Sequence, residues 1–423
     1  MRKIHFTGIG GIGMSALAQL LQERGDEIVG TDRSASPVTE MLEEKGVSVI
    51  VGQKAVNVSE DTDMLVYSDA VPEDNVERAR ASELGIPQLS YFKMLGTVSG
   101  MKRTVAIAGT HGKTTTTGML AKILKDAGAS PTAVVGSIVQ DFGSNYLSGT
   151  SDLFVVEACE YERHFLELSP EILVITNIEF DHTDYYDDLA DVQDAFRSLI
   201  KKLPSNGVIV TDVENSNIQP LLEDTNLQVV DYMSEPEYSL ILPGDFNVMN
   251  ARAAAAAAKI AFPKVSASTI SESLKTFRGT WRRFEYKGTT ESGAEVYDDY
   301  AHHPTAIKET IRAAKGKVNG RIIVAFHPHL YSRTRDLIDG FSRAFAGADD
   351  VVIAPIFAAR EIDDGTISSE ILADRIVAEG VKAHAEDSLE AVEAYLRKEL
   401  KEGDTLITMG AGDIYKVAEA LVK

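Results

Sequence analysis

The chain has 423 residues, 44% hydrophobic and 25% charged, the profile of a globular protein of two to four domains with ample core for each. A net charge of −22 argues against a nucleic-acid partner, which needs a basic surface, but leaves room for a phosphate-bearing small molecule held by a few local cations. The single cysteine, Cys159, excludes a disulfide framework or thiolate metal cluster within the chain and fits a reducing cytoplasm, and no apolar run approaches the roughly 18 residues that cross a bilayer.

The opening "MRKIHFTGIGGIGMSALAQLL" starts basic and then apolar, as a signal peptide does, but its glycines break the apolar core. It reads better as the start of a strand, glycine turn, helix and second strand over residues 4–32. Further strand signals, "VSVIVG", "MLVYSDAV" and "IPQLSYF", carry this first segment to about Gly100. A second segment, 101–288, opens with the strand "RTVAIA" and the loop "GTHGKTTTTGML", and contains the buried-strand runs "LFVVEA" (153–158), "ILVITNI" (172–178) and "GVIVTD" (207–212). The run "NARAAAAAAKIAF" (250–262) predicts a long helix, its alanines there for close packing. "FEYKGTTESGAEVYDDYA" reads as two strands around a Ser-Gly turn near the next boundary. The third segment, 289–423, alternates again through "RIIVAF", "DVVIAPI" and "DTLITMGAG". Strand–helix alternation throughout predicts an α/β protein of parallel sheets covered by helices, without internal repeats.

The loop at 109–115 carries the sharpest chemistry. Small residues let backbone N–H groups turn toward phosphate oxygens at a helix N-terminus; Lys113 would reach the β- and γ-phosphates and the Thr114 hydroxyl a Mg²⁺ ion. The common phosphate loop has a glycine five positions before its Gly-Lys pair, where this chain has Ile107. The loop "GIGGIGM" suits a pyrophosphate, or is only a tight turn; Asp32, ending the second strand, stands where a dinucleotide fold places its ribose acid. Glu157 and His182 each follow a buried strand, at the sheet edge where open parallel sheets bind ligands. Mg²⁺ prefers oxygen ligands, so His182 by itself reads as a hydrogen-bonded structural histidine. Arg282 and Arg283 in "TWRRFE" are either a phosphoryl clamp or a solvated pair. "DDYAHHPTAI" (298–307) and "FHPHLYSRT" (326–334) cluster His, Tyr, Arg and Asp after strands, which favours substrate binding over packing; zinc is disfavoured for these histidines by irregular spacing and the lack of a thiolate.

Together these motifs, in this order and over nearly the whole chain, resemble the Mur ligase family: "IHFTGIGGIGMSALA", "GTHGKTTT", "VVEACEYERHFL", "TNIEFDHTDYY", "GDFNVMNARAAAAAA", "FRGTWRRFE", "DDYAHHPTAI", "PHLYSRT" and "MGAGDIY". The resemblance implies a Rossmann-like UDP-substrate domain (1–100), a P-loop ATPase domain (101–288) and a Rossmann-like amino-acid-binding domain (289–423). It implies a cytoplasmic enzyme using ATP and Mg²⁺ to join L-alanine to the carboxylate of UDP-N-acetylmuramate through an acyl phosphate, in peptidoglycan precursor synthesis. The alternative within the family is attachment of a preformed peptide to the same sugar nucleotide. An oxidoreductase built on the first segment leaves 101–290 unexplained, and a P-loop switch leaves the glycine loop and the His/Arg clusters unexplained.

By the same resemblance the catalytic residues are Lys113, Glu157, His182, Arg283 and Arg333, with Thr114, Glu157 and His182 on metal. ATP would meet Gly109, Thr110, His111, Gly112, Lys113, Thr114, Thr115, Asn247 and Asn250. The other substrates would meet Gly8, Gly10, Gly11, Gly13, Asp32, Tyr300, His302, His303 and Arg333. Two departures stand out: Leu330 occupies a position where some members have arginine, and Arg197 a position where several sister ligases carry a carbamoylated lysine.

Overall fold

The computed structural model describes every residue except Asp224, Asn319, Arg360 and Lys423. Three sheets follow one another along the chain. The first is wholly parallel, in the spatial order Ser48–Val51, Glu27–Asp32, Lys3–Thr7, Met64–Tyr67 and Gln88–Ser90. The chain leaves the central strand Lys3–Thr7 toward one edge and returns to build the other. The glycine loop therefore sits at the crevice between Lys3–Thr7 and Met64–Tyr67, with Gly8 against Ser68.

The second sheet centres on Arg103–Ala108, flanked by Ile172–Ile175 and Leu153–Glu157. Val208–Thr211 and Gln228–Asp231 extend one side; Thr132–Val139 and its antiparallel partner Ser144–Leu147 extend the other. The loops that leave the three central strands converge, and each carries part of the site. Gly112, at φ 82°, opens the helix Lys113–Asp126, a backbone geometry that favours glycine. The alanine run lies within the helix Asp245–Ala261, where Ala251 and Ala253 through Ala258 are buried in the apolar layer shared with Met119, Leu120 and Ile123. Side chains ending at Cβ let these helices approach closely.

The third sheet runs Glu285–Thr289, Glu295–Asp299, Thr405–Met409, Ile322–Phe326, Asp350–Ile353 and Ala383–Ala385, parallel except for its first pair. Its first strand, Glu285–Thr289, straddles the division placed at 288 in the sequence and pairs with the third sheet. The loops after Glu295–Asp299, Ile322–Phe326 and Thr405–Met409 face the phosphate-loop side of the second sheet. The first sheet and its helices share one continuous apolar core with a face of the second sheet, from Ile4 and Phe6 to Phe165 and Phe196. The third sheet has two cores of its own, one on each face. No helix among the described residues is long and apolar enough to cross a membrane.

Candidate active site

A cavity of about 860 Å³ lies between the second and third sheets. Its wall takes Thr110 through Thr115 from the phosphate loop, Glu157 and Glu160 after one strand, and Asp181 and His182 after another. Asn247 and Asn250 come from the alanine helix, Arg283 from the crossing between sheets, and Tyr300, His302, His303 and Arg333 from the third unit. These are sequence-selected residues except for Glu160 and Asp181. Gly8, Gly10, Gly11, Gly13 and Asp32 stand outside this wall, and Ile12 is the loop residue that reaches it.

Lys113 bends back over its own loop, donating to the Thr110 carbonyl at 3.2 Å and to Glu160 Oε1 at 2.9 Å. Burial alone would lower the ammonium pKa, but Glu160 outweighs it and holds Lys113 above the usual lysine value. Burial likewise works against the Glu160 carboxylate, and Lys113, followed by His182, keeps it ionised. Thr114 Oγ1 donates to both Glu157 carboxylate oxygens at 3.0 Å, the Gly136 N–H donates to Oε2 at 2.9 Å, and Arg283 Nη2 reaches Thr114 Oγ1 at 3.4 Å. A hydroxyl, a carboxylate and a guanidinium thus meet at the first turn of the helix, with its positive end facing them.

His182, at φ 55°, places Nε2 at 3.5 Å from Glu160 Oε1 and Nδ1 at 3.5 Å from Arg333 Nη2. Arg333 is buried, donating from Nε to Asp181 Oδ1 at 2.9 Å and lying 2.9 Å from His329 Nδ1. Burial opposes the Asp181 charge, but Arg333 and the surrounding histidines hold its carboxyl well below the usual carboxylate range. Burial, with Arg333 beside it, keeps His302 neutral. Asp299 is pushed up to about 6 by burial, against the pull of Arg283, and accepts the Phe284 and Ala301 N–H groups at 2.7 Å.

The arginine pair divides. Arg282 is buried, binding Asp298 at 2.7 Å, the Gly412 carbonyl at 2.9 Å and the Gly410 carbonyl at 2.6 Å, and so ties the crossing segment to the third sheet. Both residues line the cavity, but the Arg283 guanidinium is the one that reaches the phosphate-loop side, at Thr114. Leu330 lies in the wall with φ 70°, its N–H donating to the Phe357 carbonyl at 2.9 Å. Arg197 sits on the helix Leu189–Ile200, outside the cavity wall, 3.7 Å from Asp194.

In the first unit Asp32 Oδ2 accepts the Gly10 N–H at 2.9 Å, so its carboxylate fixes the glycine loop. A Cβ on Gly10 would meet that carboxylate at 2.8 Å, and one on Gly13 would meet the Tyr91 ring at 2.6 Å. Gly11 differs: nothing lies closer than 3.5 Å to its Cβ position, so packing alone does not require glycine there. Glu160 and Asp181 escaped the sequence reading although both lie in quoted motifs. Asp181 is next to His182 and Glu160 three residues after Glu157, each overshadowed by that neighbour, and only the fold shows that they hold Arg333 and Lys113.

Three family models match successive stretches of the chain. They are described as Mur ligase family, catalytic domain (residues 3–103), Mur ligase middle domain (107–239) and Mur ligase, glutamate ligase domain (282–412). The UDP-N-acetylmuramate–L-alanine ligase of Clostridium kluyveri is 39% identical over 447 residues, covering 99% of this chain and 97% of the relative. The chain belongs to the Mur ligase family. The enzyme of the same name from Clostridium acetobutylicum matches at the same identity and coverage. Among solved structures, the UDP-N-acetylmuramate-alanine ligase MurC of Thermotoga maritima superposes with a TM-score of 0.81 at 29% identity, covering 100% of this chain and 98% of that one. The murein peptide ligase of Psychrobacter arcticus gives 0.76 at 24% identity, covering 100% of both chains, a likeness of fold. This Mur ligase shares the three-domain fold of the Thermotoga maritima enzyme, with the cavity described above between its second and third sheets.

Proposed function

We propose that this Mur ligase joins L-alanine to the carboxylate of UDP-N-acetylmuramate with ATP, releasing ADP and phosphate. The observation that supports it most is the 39% identity to L-alanine-adding relatives along 99% of the chain, together with the convergence of phosphate-loop, arginine and histidine residues on one cavity. A free carboxylate is a poor acylating agent because oxide leaves badly. Attack of the substrate carboxylate on the γ-phosphorus forms an acyl phosphate and releases ADP. The L-alanine amine then attacks the acyl carbon, and the tetrahedral intermediate expels phosphate as the amide forms.

The site must align anions that repel one another. The phosphate loop would cradle the triphosphate, with Lys113 swinging from Glu160 to the β- and γ-phosphates. Arg283 would stabilise charge spreading over the transferred group, and Arg333, held by Asp181, would meet a substrate carboxylate or phosphate. The oxygen ligands Glu157 and Thr114 suit Mg²⁺, which would neutralise phosphate charge there. His182 is proposed as ligand to a second ion. Asn247 and Asn250 would bound the adenine side, and Tyr300, His302 and His303 the amino-acid side. The glycine loop, with Gly11 unencumbered, would receive the UDP pyrophosphate, and the reaction would be cytoplasmic.

The deciding experiment supplies UDP-N-acetylmuramate, ATP and a mixture of amino acids, follows ADP release and weighs the product. The expected product carries one alanine residue, and ADP release requires both co-substrates. A product formed only with a preformed peptide would establish the other family activity, and ADP release indifferent to both substrates would overturn the ligase reading.

A further inference from the structure

Beside the phosphate loop a second group of side chains spans the two units that enclose the cavity. His111 and Glu179 leave the second sheet on adjacent loops, and His303 comes from the third unit. One ligand atom from each lies within 4.8 Å of the others. His111 Nε2 is 3.5 Å from Glu179 Oε2, and His303 Nδ1 is 3.9 Å from the same oxygen. We propose that His111, Glu179 and His303 form a binding site for a tetrahedral divalent cation of the zinc class, one that clasps the phosphate-loop unit to the third unit.

The geometry of each side chain supports this. His111 Nε2 is buried without a hydrogen-bond partner, an uncompensated polar atom aimed into the cluster. His303 Nε2 lies 3.2 Å from the Phe180 carbonyl, which fixes the proton on that nitrogen and leaves the Nδ1 lone pair facing inward. That lone pair now takes a long 3.3 Å bond from the Thr305 N–H, which a cation would replace. Glu179 is oriented by the Thr305 hydroxyl, donating at 2.6 Å to Oε2. Burial works against its charge, but the neighbouring His111 and Thr305 bring the carboxyl down to about 2. Two imidazoles and one carboxylate, with a fourth position open to water, are a donor set for zinc; Mg²⁺ prefers oxygen alone. Ligands about 2.1 Å from a tetrahedral ion stand about 3.4 Å apart. The two carboxylate–imidazole spacings, 3.5 and 3.9 Å, are near that value, and the two imidazoles, within 4.8 Å, would draw together on binding. Irregular spacing hides the site in the sequence, because its ligands lie on three separate loops.

The test is cobalt(II) titration of the intact, metal-stripped protein in excess Mg²⁺ and without substrates, so its result is independent of the ligase reading. The expected result is one equivalent of cobalt with the strong visible absorption of a tetrahedral site, displaced by zinc. His111→Gln and His303→Gln should each weaken binding by about tenfold or more. His182→Ala should leave the titration unchanged, and zinc should raise the melting temperature of the native chain but not of the two variants. A weak octahedral spectrum, or equal binding by native chain and both variants, would overturn the site and leave the three residues as a metal-free contact between units.

Discussion

Half-buried Lys113 and buried Glu160 form an ion pair that the reaction would have to open. Lys113→Ala should therefore do two things. Loss of one transition-state charge donor is worth on the order of 3 kcal/mol, so turnover at saturating ATP should fall by about a hundredfold or more. Glu160 would also be left buried with His182, 3.5 Å away, as its remaining partner, so the stability loss should stay below the about 3–5 kcal/mol of a fully orphaned buried charge. A rate assay beside a thermal melt separates the two, and a variant retaining over about a tenth of native turnover would remove Lys113 from the chemistry. His327 makes the opposite case, a histidine near the site but outside the wall of the cavity. Burial, with Arg282 nearby, lowers its pKa to about 4, and its Nδ1 is buried without a hydrogen-bond partner. Its contribution is complete above the unfolded pKa of about 6.5 and is lost as pH falls toward 4, because the unfolded chain takes the proton first. At pH 5 the loss amounts to about 2 kcal/mol. His327→Phe, whose ring can keep the edge contact with Phe357, should show a stability drop between pH 7 and pH 5 that is smaller by about that amount in denaturant titrations. An unchanged drop would mean that His327 titrates normally.

At the level of elements, the two glycine loops look alike in sequence and differ in what the fold asks of them. Gly112 combines φ 82° with a Cβ position 2.2 Å from Asn250 Oδ1, so Gly112→Ala must push the Asn250 side chain away or shift the loop, and strains the backbone in either case. It should lower both the melting temperature and the turnover. Gly11→Ala has room for its Cβ and should leave the melt nearly unchanged while raising KM for UDP-N-acetylmuramate far more than KM for ATP. A melting loss as large as that of Gly112→Ala would make Gly11 a packing residue. This contrast also marks where sequence reading succeeds. Period and glycine punctuation made the strands Lys3–Thr7, Arg103–Ala108 and Ile172–Ile175 and the helix Lys113–Asp126 legible, because each is a continuous apolar or small-residue pattern. The hairpin Thr132–Val139 and Ser144–Leu147 and the short edge strand Ala383–Ala385 were not singled out, since weak local patterns there are decided by neighbouring strands. Arg282 and Arg283 are indistinguishable as letters. Only the carbonyls of Gly410 and Gly412 separate an arginine tied into the third sheet from one whose guanidinium reaches Thr114.

In the molecule as a whole, the described residues form three sheets, and the first two share their main core, the first unit keeping only a small cluster of its own around Leu65. Helix Ile12–Glu23 of the first unit packs beside the Thr132–Val139 hairpin, where Tyr146 donates to Glu23 at 2.6 Å and Asn145 donates to Ser15 Oγ at 3.1 Å. Beneath these bonds the apolar layer runs from the first sheet into the second without a break. The third unit is joined to the second mainly through polar contacts, such as Arg333 with Asp181, Thr305 with Glu179 and Arg312 with Asp245. Continuous apolar burial couples unfolding, whereas a polar seam can open first. Scanning calorimetry of the intact chain should therefore resolve two transitions rather than three, the larger belonging to the first two units together. Two core truncations assign them. Phe165 lies in the shared layer, edge-on to Phe196 at 5.2 Å, and Phe341 lies in the core of the third unit. Each Phe→Ala change removes about 3–5 kcal/mol. Phe165→Ala should shift the larger transition alone and Phe341→Ala the other. Two variants that moved both transitions equally would show one cooperative unit, and a third transition untouched by Phe165→Ala would show that the first unit folds on its own.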